Sequence, residues 1–207
     1  MAYYMVFWPQ DRMQQIMKAK DEGPIKVVYG SIHSRMPTIA SIKVGDIVFV
    51  VSLIKKKLYA MARLPVTHRE PAFDYLIRET GCTHGALVPK DMAVNRNGYY
   101  WTGDGKPFHS AGEVPAGYKV ITQQEKPHLL HQEPFNCCSQ WAVWGEEGST
   151  IAPRPVPDEV IPQLRFGYPK SKEKALRLDK NGNILPMSLT ATRRMSEETA
   201  QIFESLF

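Results

Sequence analysis

The alternation of apolar and polar positions divides the chain into short elements. Ala2 to Trp8 is an apolar run that predicts a first strand. Met13, Ile16 and Met17 recur at helical spacing and predict a helix from about Gln10 to Lys20, ended by Gly23 and Pro24. A second apolar run, Ile25 to Tyr29, breaks at Gly30 and gives way to the polar and basic stretch Ser31 to Arg35. Pro37 and a short helical turn ending at Val44 follow. Gly45 and Asp46 then launch Ile47 to Leu53, whose β-branched and aromatic residues are the strongest strand signal in the chain. Lys55 to Lys57 make a turn, and Leu58 to Val66 return as a partner strand. The pattern predicts a curved sheet with a tight polar crossing, residues 31–35, at its rim, where a ligand would find both backbone and charge.

Beyond Val66 the basic pair His68 and Arg69 reads as the approach to a helix, with Pro71 in its first turn, Phe73, Leu76 and Ile77 on one face, and Gly81 at its cap. Residues 82–127 are rich in glycine, asparagine and proline. Only Tyr118 to Ile121 resembles a strand there, so the segment reads as a long loop or small insertion, of the kind that is commonly functional or mobile. Gln140 to Trp144 predicts a further strand, with Trp141 and Val143 on one face and Ala142 and Trp144 on the other. The prolines from Pro153 to Pro157 mark a loop, and Val160, Ile161 and Leu164 a short helix limited by Pro162. Leu176 to Leu178 and Ile184 to Leu185 flank a tight reversal at Asp179 to Gly182. A last helix is expected from Ser196 to Phe207, capped by Ser196 and packed through Ile202, Phe203 and Leu206.

At 207 residues and 43% apolar content, the chain has the size and composition of one globular domain, residues 1–207. No stretch is long and apolar enough to suggest a membrane span, and the first residues lack the basic start of a signal peptide. Three cysteines, two of them adjacent, do not form a disulfide framework, which points to a reducing, intracellular setting, cytoplasmic or beside the genome in nucleoid or nucleus. The net charge of +5 permits an anionic partner such as DNA or RNA without choosing it.

The central pattern resembles the PUA-like superfamily, particularly its EVE and YTH-like branches. The matching residues are Ile25 to Gly30, the crossing Ser31 to Arg35, Ile39 to Ile42, Lys43 to Asp46 with its Gly-Asp pair, Ile47 to Leu53, Leu58 to Leu64, and the later segment Pro157 to Phe166. The resemblance implies a mixed α/β fold built on a twisted, partly closed β-barrel with peripheral helices. It also implies noncovalent recognition of a flipped or exposed, methylated or otherwise modified base in an aromatic pocket. Such a pocket works because an added methyl group desolvates against an aromatic wall that also stacks with the base.

On that reading, Ser31, His33 and Ser34 meet the base edge and Arg35 a phosphate. Trp141, Trp144 and Trp101 are candidate walls, with Trp8 a further aromatic, and Arg193 and Arg194 are candidate phosphate contacts. His33 and Ser34 stand where the EVE branch commonly has an arginine–asparagine pair. Gly45 and Asp46 read as architectural.

Cys82 and His84, His128 and His131, and the adjacent Cys137 and Cys138 have the donor types of a zinc site but not its spacing, so no metal and no cofactor is expected. Cys137 or Cys138 with His131 does not establish a nucleophile and base, and Glu146 and Glu147 read as a solvated turn. The expected role is a nucleic-acid-binding module serving a separate nuclease or processing partner. The alternatives are a protein interaction or assembly module and, behind it, a hydrolase acting on nucleic acid.

Overall fold

The strand Ile47–Ile54 is buried on both faces, and the rest of the fold is layered around it. A strand covered on both sides carries a continuous apolar run instead of an alternation, which is why IVFVVSLI is the clearest strand in the sequence. The computed structural model describes residues 1–18, 20–30, 39–71, 75, 78–79, 85–88, 99–101, 107–109, 119–122, 141–190 and 192–207.

In chain order the strands are β1 (Tyr3–Trp8), β2 (Val27–Gly30), β3 (Ile47–Ile54), β4 (Lys57–Pro65), β5 (His68–Pro71), β6 (Gly85–Val88), β7 (Tyr99–Trp101), β8 (Pro107–His109), β9 (Lys119–Thr122), β10 (Trp141–Trp144), β11 (Arg154–Pro155) and β12 (Arg193–Arg194). Helix α1 spans Gln10–Lys18 and α2 spans Glu197–Glu204. Among the described residues, no helix is long and apolar enough to cross a membrane.

The expected partly closed barrel does not form. Among the described residues the strands make three open sheets, ordered β11-β4-β3-β1-β12, β2-β10-β5 and β8-β7-β6-β9. In the first, β1 lies parallel to β3 from Tyr3↔Ile47 to Trp8↔Ser52, and β3 returns antiparallel as β4. Closure would require the outer strands to find each other. Instead β11 and β12 are two residues each, and Pro155 in β11 has no N–H to donate to a further strand. Strand β2 does not bridge the gap, because it leaves to pair with β10. The resemblance to PUA-like, EVE and YTH-like domains is overturned by this topology, and the idea of base flipping, which rested on that fold, goes with it.

The two faces of the first sheet carry separate cores. Tyr4, Val6 and Trp8 of β1 and Val48 and Val50 of β3 face a cluster completed by Met13 and Ile16 of α1, Val28 of β2 and Val143 of β10. Met5, Phe49 and Val51 face the other way, onto Leu164, Phe166, Leu176, Met195 and Phe203. The three-stranded sheet and α1 therefore cover one face, and the C-terminal third covers the other. Met17, expected on the apolar face of α1, lies largely exposed. Trp8 is fully buried and belongs to the core.

Local chemistry explains the joints. Asp46 accepts from the backbone N–H of Ala2 at 2.7 Å and of Lys43 at 2.8 Å, fixing the start of β1 against the entry to β3, so the Gly45–Asp46 pair is architectural. Lys55 and Lys56 both take positive φ, the geometry of the tight turns that match strand twist. The side chain of Ser196 accepts from Thr199 N–H at 3.1 Å and caps α2. Replacing Ser196 with alanine is expected to cost about 1 kcal/mol, read as a lower urea midpoint with unchanged slope.

Two sequence expectations change here. His68 and Arg69 belong to a strand, β5, which pairs antiparallel with β10. Tyr75, Arg78 and Glu79, the described part of the expected helix, are helical. Within 82–127 the structure adds β6, β7 and β8 to the strand expected near Tyr118 to Ile121. Their short, glycine-bounded sequences carry little periodic signal.

Candidate functional site

Strand β10 is the middle strand of its sheet, and its two tryptophans leave it on opposite faces. Trp141 pairs with Gly30 on one side and Pro71 on the other. Its half-buried ring packs at the edge of the first core. Arg69, two pairs along on β5 and so on the same face, lays its guanidinium 3.9 Å over that ring. The Arg69 Nη2 also donates to the Ala40 carbonyl at 3.0 Å. The guanidinium is thus held between an aromatic face and a turn of 3-10 helix at Ile39–Ser41, which rests against β2 and β10.

This arrangement bears directly on the polar crossing. Ser31, His33, Ser34 and Arg35 lie outside the described residues, but the chain on either side of them does not. Gly30, immediately before Ser31, pairs with Trp141, and Ala40, shortly after Arg35, holds Arg69. The described residues nearest the crossing on either side, Gly30 and Ala40, therefore both meet the Trp141–Arg69 pair. Sequence reasoning missed Arg69 because His-Arg-Glu-Pro was read as the approach to a helix; as a strand, the same residues place Arg69 on the Trp141 face.

Trp144 sits in a different environment. The His68 ring stacks on it at 3.8 Å and 6°, and the Arg78 guanidinium lies 4.6 Å from its centroid. With one face taken by the imidazole at contact distance, the guanidinium occupies the other. The indole N–H donates to Glu70 Oε1, which with Oε2 also accepts from Arg78 Nη1 at 2.6 and 2.7 Å. Tyr75 packs at 5.8 Å, and burial, followed by the nearby Glu79 carboxylate, pushes its hydroxyl far above the usual tyrosine range. Trp144 is the centre of a clamp that ties these helical residues to the sheet.

No protein-family model and no curated protein matches the chain.

Trp101 lies in β7 opposite Gly85. Arg193 and Arg194 lie on the edge strand β12, opposite Met5 and Tyr4, so they face opposite sides of the sheet. Arg194 covers the exposed ring of Tyr168 at 3.9 Å. The Nε of Arg193 is buried without a hydrogen-bond partner. An unmet donor of this kind costs about 1–3 kcal/mol.

The cysteines and histidines weighed as zinc ligands, Cys82, His84, His128, His131, Cys137 and Cys138, lie outside the described residues. Among the described residues, no three metal-ligating side chains cluster. Glu146 is exposed and pairs with Lys26 at 3.3 Å, while Glu147 is exposed beside it. A concavity of about 260 Å³ under α1 is walled mainly by Met13, Ile16, Met61 and Ile151. Lys20, Asp21 and Glu22 also line it.

Proposed function

We propose that the protein is a noncovalent nucleic-acid-binding module that stacks an exposed base of DNA or RNA at Trp141 and Arg69. The observation that carries this reading is the Arg69 guanidinium held over the Trp141 indole, beside the residues Gly30 and Ala40 that flank the basic crossing. Guanidinium planes and aromatic rings both stack bases, and an arginine so placed extends the stack while offering charge to the neighbouring phosphate. The crossing residues Ser31, His33, Ser34 and Arg35 would supply the base-edge and phosphate contacts. Preference for a methylated or otherwise modified base is the finer form of the proposal, since an added methyl group gains from desolvation against this platform.

The setting is intracellular, and the module would deliver a separate nuclease or processing partner to its target. An assembly role is the second reading, favoured by the exposed apolar side chains of Tyr168, Leu178, Leu185 and Met187 in the C-terminal third.

Equilibrium binding to matched modified and unmodified oligonucleotides, single- and double-stranded, across a salt series tests the proposal. Saturable single-strand binding is expected, with an affinity that falls as salt rises but a modification preference that does not. Binding that is equal for every oligonucleotide and lost with salt reduces the protein to nonspecific phosphate affinity. No binding at all moves the reading to assembly.

A further inference from the structure

Arg194 leaves the edge strand β12 opposite Tyr4, so its side chain stands on the same face of the first sheet as Tyr4 and as the core that Trp141 edges. Its guanidinium lies 3.9 Å over the ring of Tyr168, yet Tyr168 is 66% exposed. The backbone anchors the two together. Gly167 N–H donates to the Arg194 carbonyl at 2.8 Å, and the buried Phe166 bridges to Met195. Tyr168 is thus an outward ring held beside β12, with a planar cation over one face.

A chain of contacts joins this pair to Trp141 and Arg69. The Tyr4 hydroxyl donates to the Ser41 carbonyl at 3.2 Å. Ser41 follows Ala40, whose carbonyl accepts from Arg69 Nη2 at 3.0 Å. The Ile39–Ser41 turn therefore meets Arg69 at one residue and Tyr4 at the next, and β12 stands beside β1 at the usual strand spacing of about 4.8 Å. Among the described residues, neither Arg69 nor Arg194 has a carboxylate within ion-pair distance. Asp46, close to this path, is buried and accepts from the backbone N–H groups of Ala2 and Lys43. Charge at both ends of the path is free to meet phosphate.

We propose that Tyr168 and Arg194 form a second base-stacking station, so that one strand of DNA or RNA runs from Trp141 and Arg69 across the Ile39–Ser41 turn to Tyr168. Aromatic platforms spaced along a basic track are how proteins hold single strands without reading their sequence. The uncovered face of Tyr168 takes a base, and the Arg194 guanidinium offers N–H groups to the adjoining phosphate. The inference rests on base stacking at Trp141 and Arg69, and it adds that the ligand is a single strand several nucleotides long. A duplex keeps its bases paired and stacked on one another, so it has none to give to each ring.

The test measures affinity at fixed salt for oligothymidylates of about two to about sixteen nucleotides. For the parent protein, affinity should rise at least about tenfold between strands that reach one station and strands that reach both. Tyr168→Leu, at an exposed position, removes the π-face and should cut the long-to-short affinity ratio about tenfold, within the range of one base–aromatic stack. Trp141→Leu should weaken binding at every length. An unchanged ratio in Tyr168→Leu, with Trp141→Leu still weakening binding, overturns the second station and leaves the first. Failure of the parent to bind any strand removes both. Self-association of the parent that Tyr168→Leu abolishes, read by sedimentation at rising protein concentration, assigns the ring to assembly and overturns the station.

Discussion

Exchanging Trp141 for leucine is expected to weaken single-strand oligonucleotide binding by about 5- to 150-fold, the range that corresponds to losing one base–aromatic stack. Leucine is the informative replacement. It retains apolar contact with the edge of the first core, where Trp141 packs, but it has no π-face for a guanidinium or a base. Arg69 would keep its bond to the Ala40 carbonyl and lose the ring it lies over. Fluorescence anisotropy against one labelled strand at fixed salt measures the change, and a thermal melt shows whether the fold persists.

Trp144→Leu is the matching control. It removes the centre of the His68, Glu70 and Arg78 clamp, so its main effect should be on stability. Undiminished affinity in Trp141→Leu would place the ligand elsewhere.

The largest stability effect is expected at Gly148. A Cβ there would stand 1.7 Å from the carbonyl oxygen of Ile25 and 2.8 Å from its carbonyl carbon. Neither can retreat, because Ile25 is fully buried and its N–H donates to Ser149 at 2.9 Å, while Ser149 N–H donates to Arg63 at 2.8 Å. The close approach splices the start of β2 to β4 through the segment after β10. Gly148→Ala should therefore cost at least about 3 kcal/mol, the upper range for forced overpacking.

Gly182 separates this steric effect from a conformational one. It has positive φ, +79°, but open space where a Cβ would sit. Alanine there should cost only about 1–2 kcal/mol, the penalty of the left-handed backbone alone. Urea unfolding of both variants reads the difference. Equal midpoints would mean that the segment after β10 is not seated against β2.

Much of the local structure was legible from residues close in sequence. The helix α2, its Ser196 cap, the β3–β4 pair and the alternation of Trp141 and Trp144 all follow from spacing within a few positions, where propensity and periodicity act. What was not legible depended on which strand meets which. His68 to Pro71 has no apolar alternation of its own and becomes a strand because β10 offers it a partner. Gly148 looks like part of a solvated turn until Ile25, distant in sequence, closes over it. The site divides the same way. Trp141 stands out as an aromatic on a regular strand, whereas Arg69 becomes visible only once the pairing of β5 with β10 sets it over that ring.

The sequence by itself determined the existence of β3, its return as β4 and the capped terminal helix, because each is encoded by neighbours along the chain. Only the tertiary structure decided that the sheets stay open, that Trp144 is clamped between two side chains, and that Arg69 lies over Trp141. Those outcomes turn on hydrogen-bond partners drawn from distant segments. A short run of residues can specify an extended backbone without specifying which edge it will join.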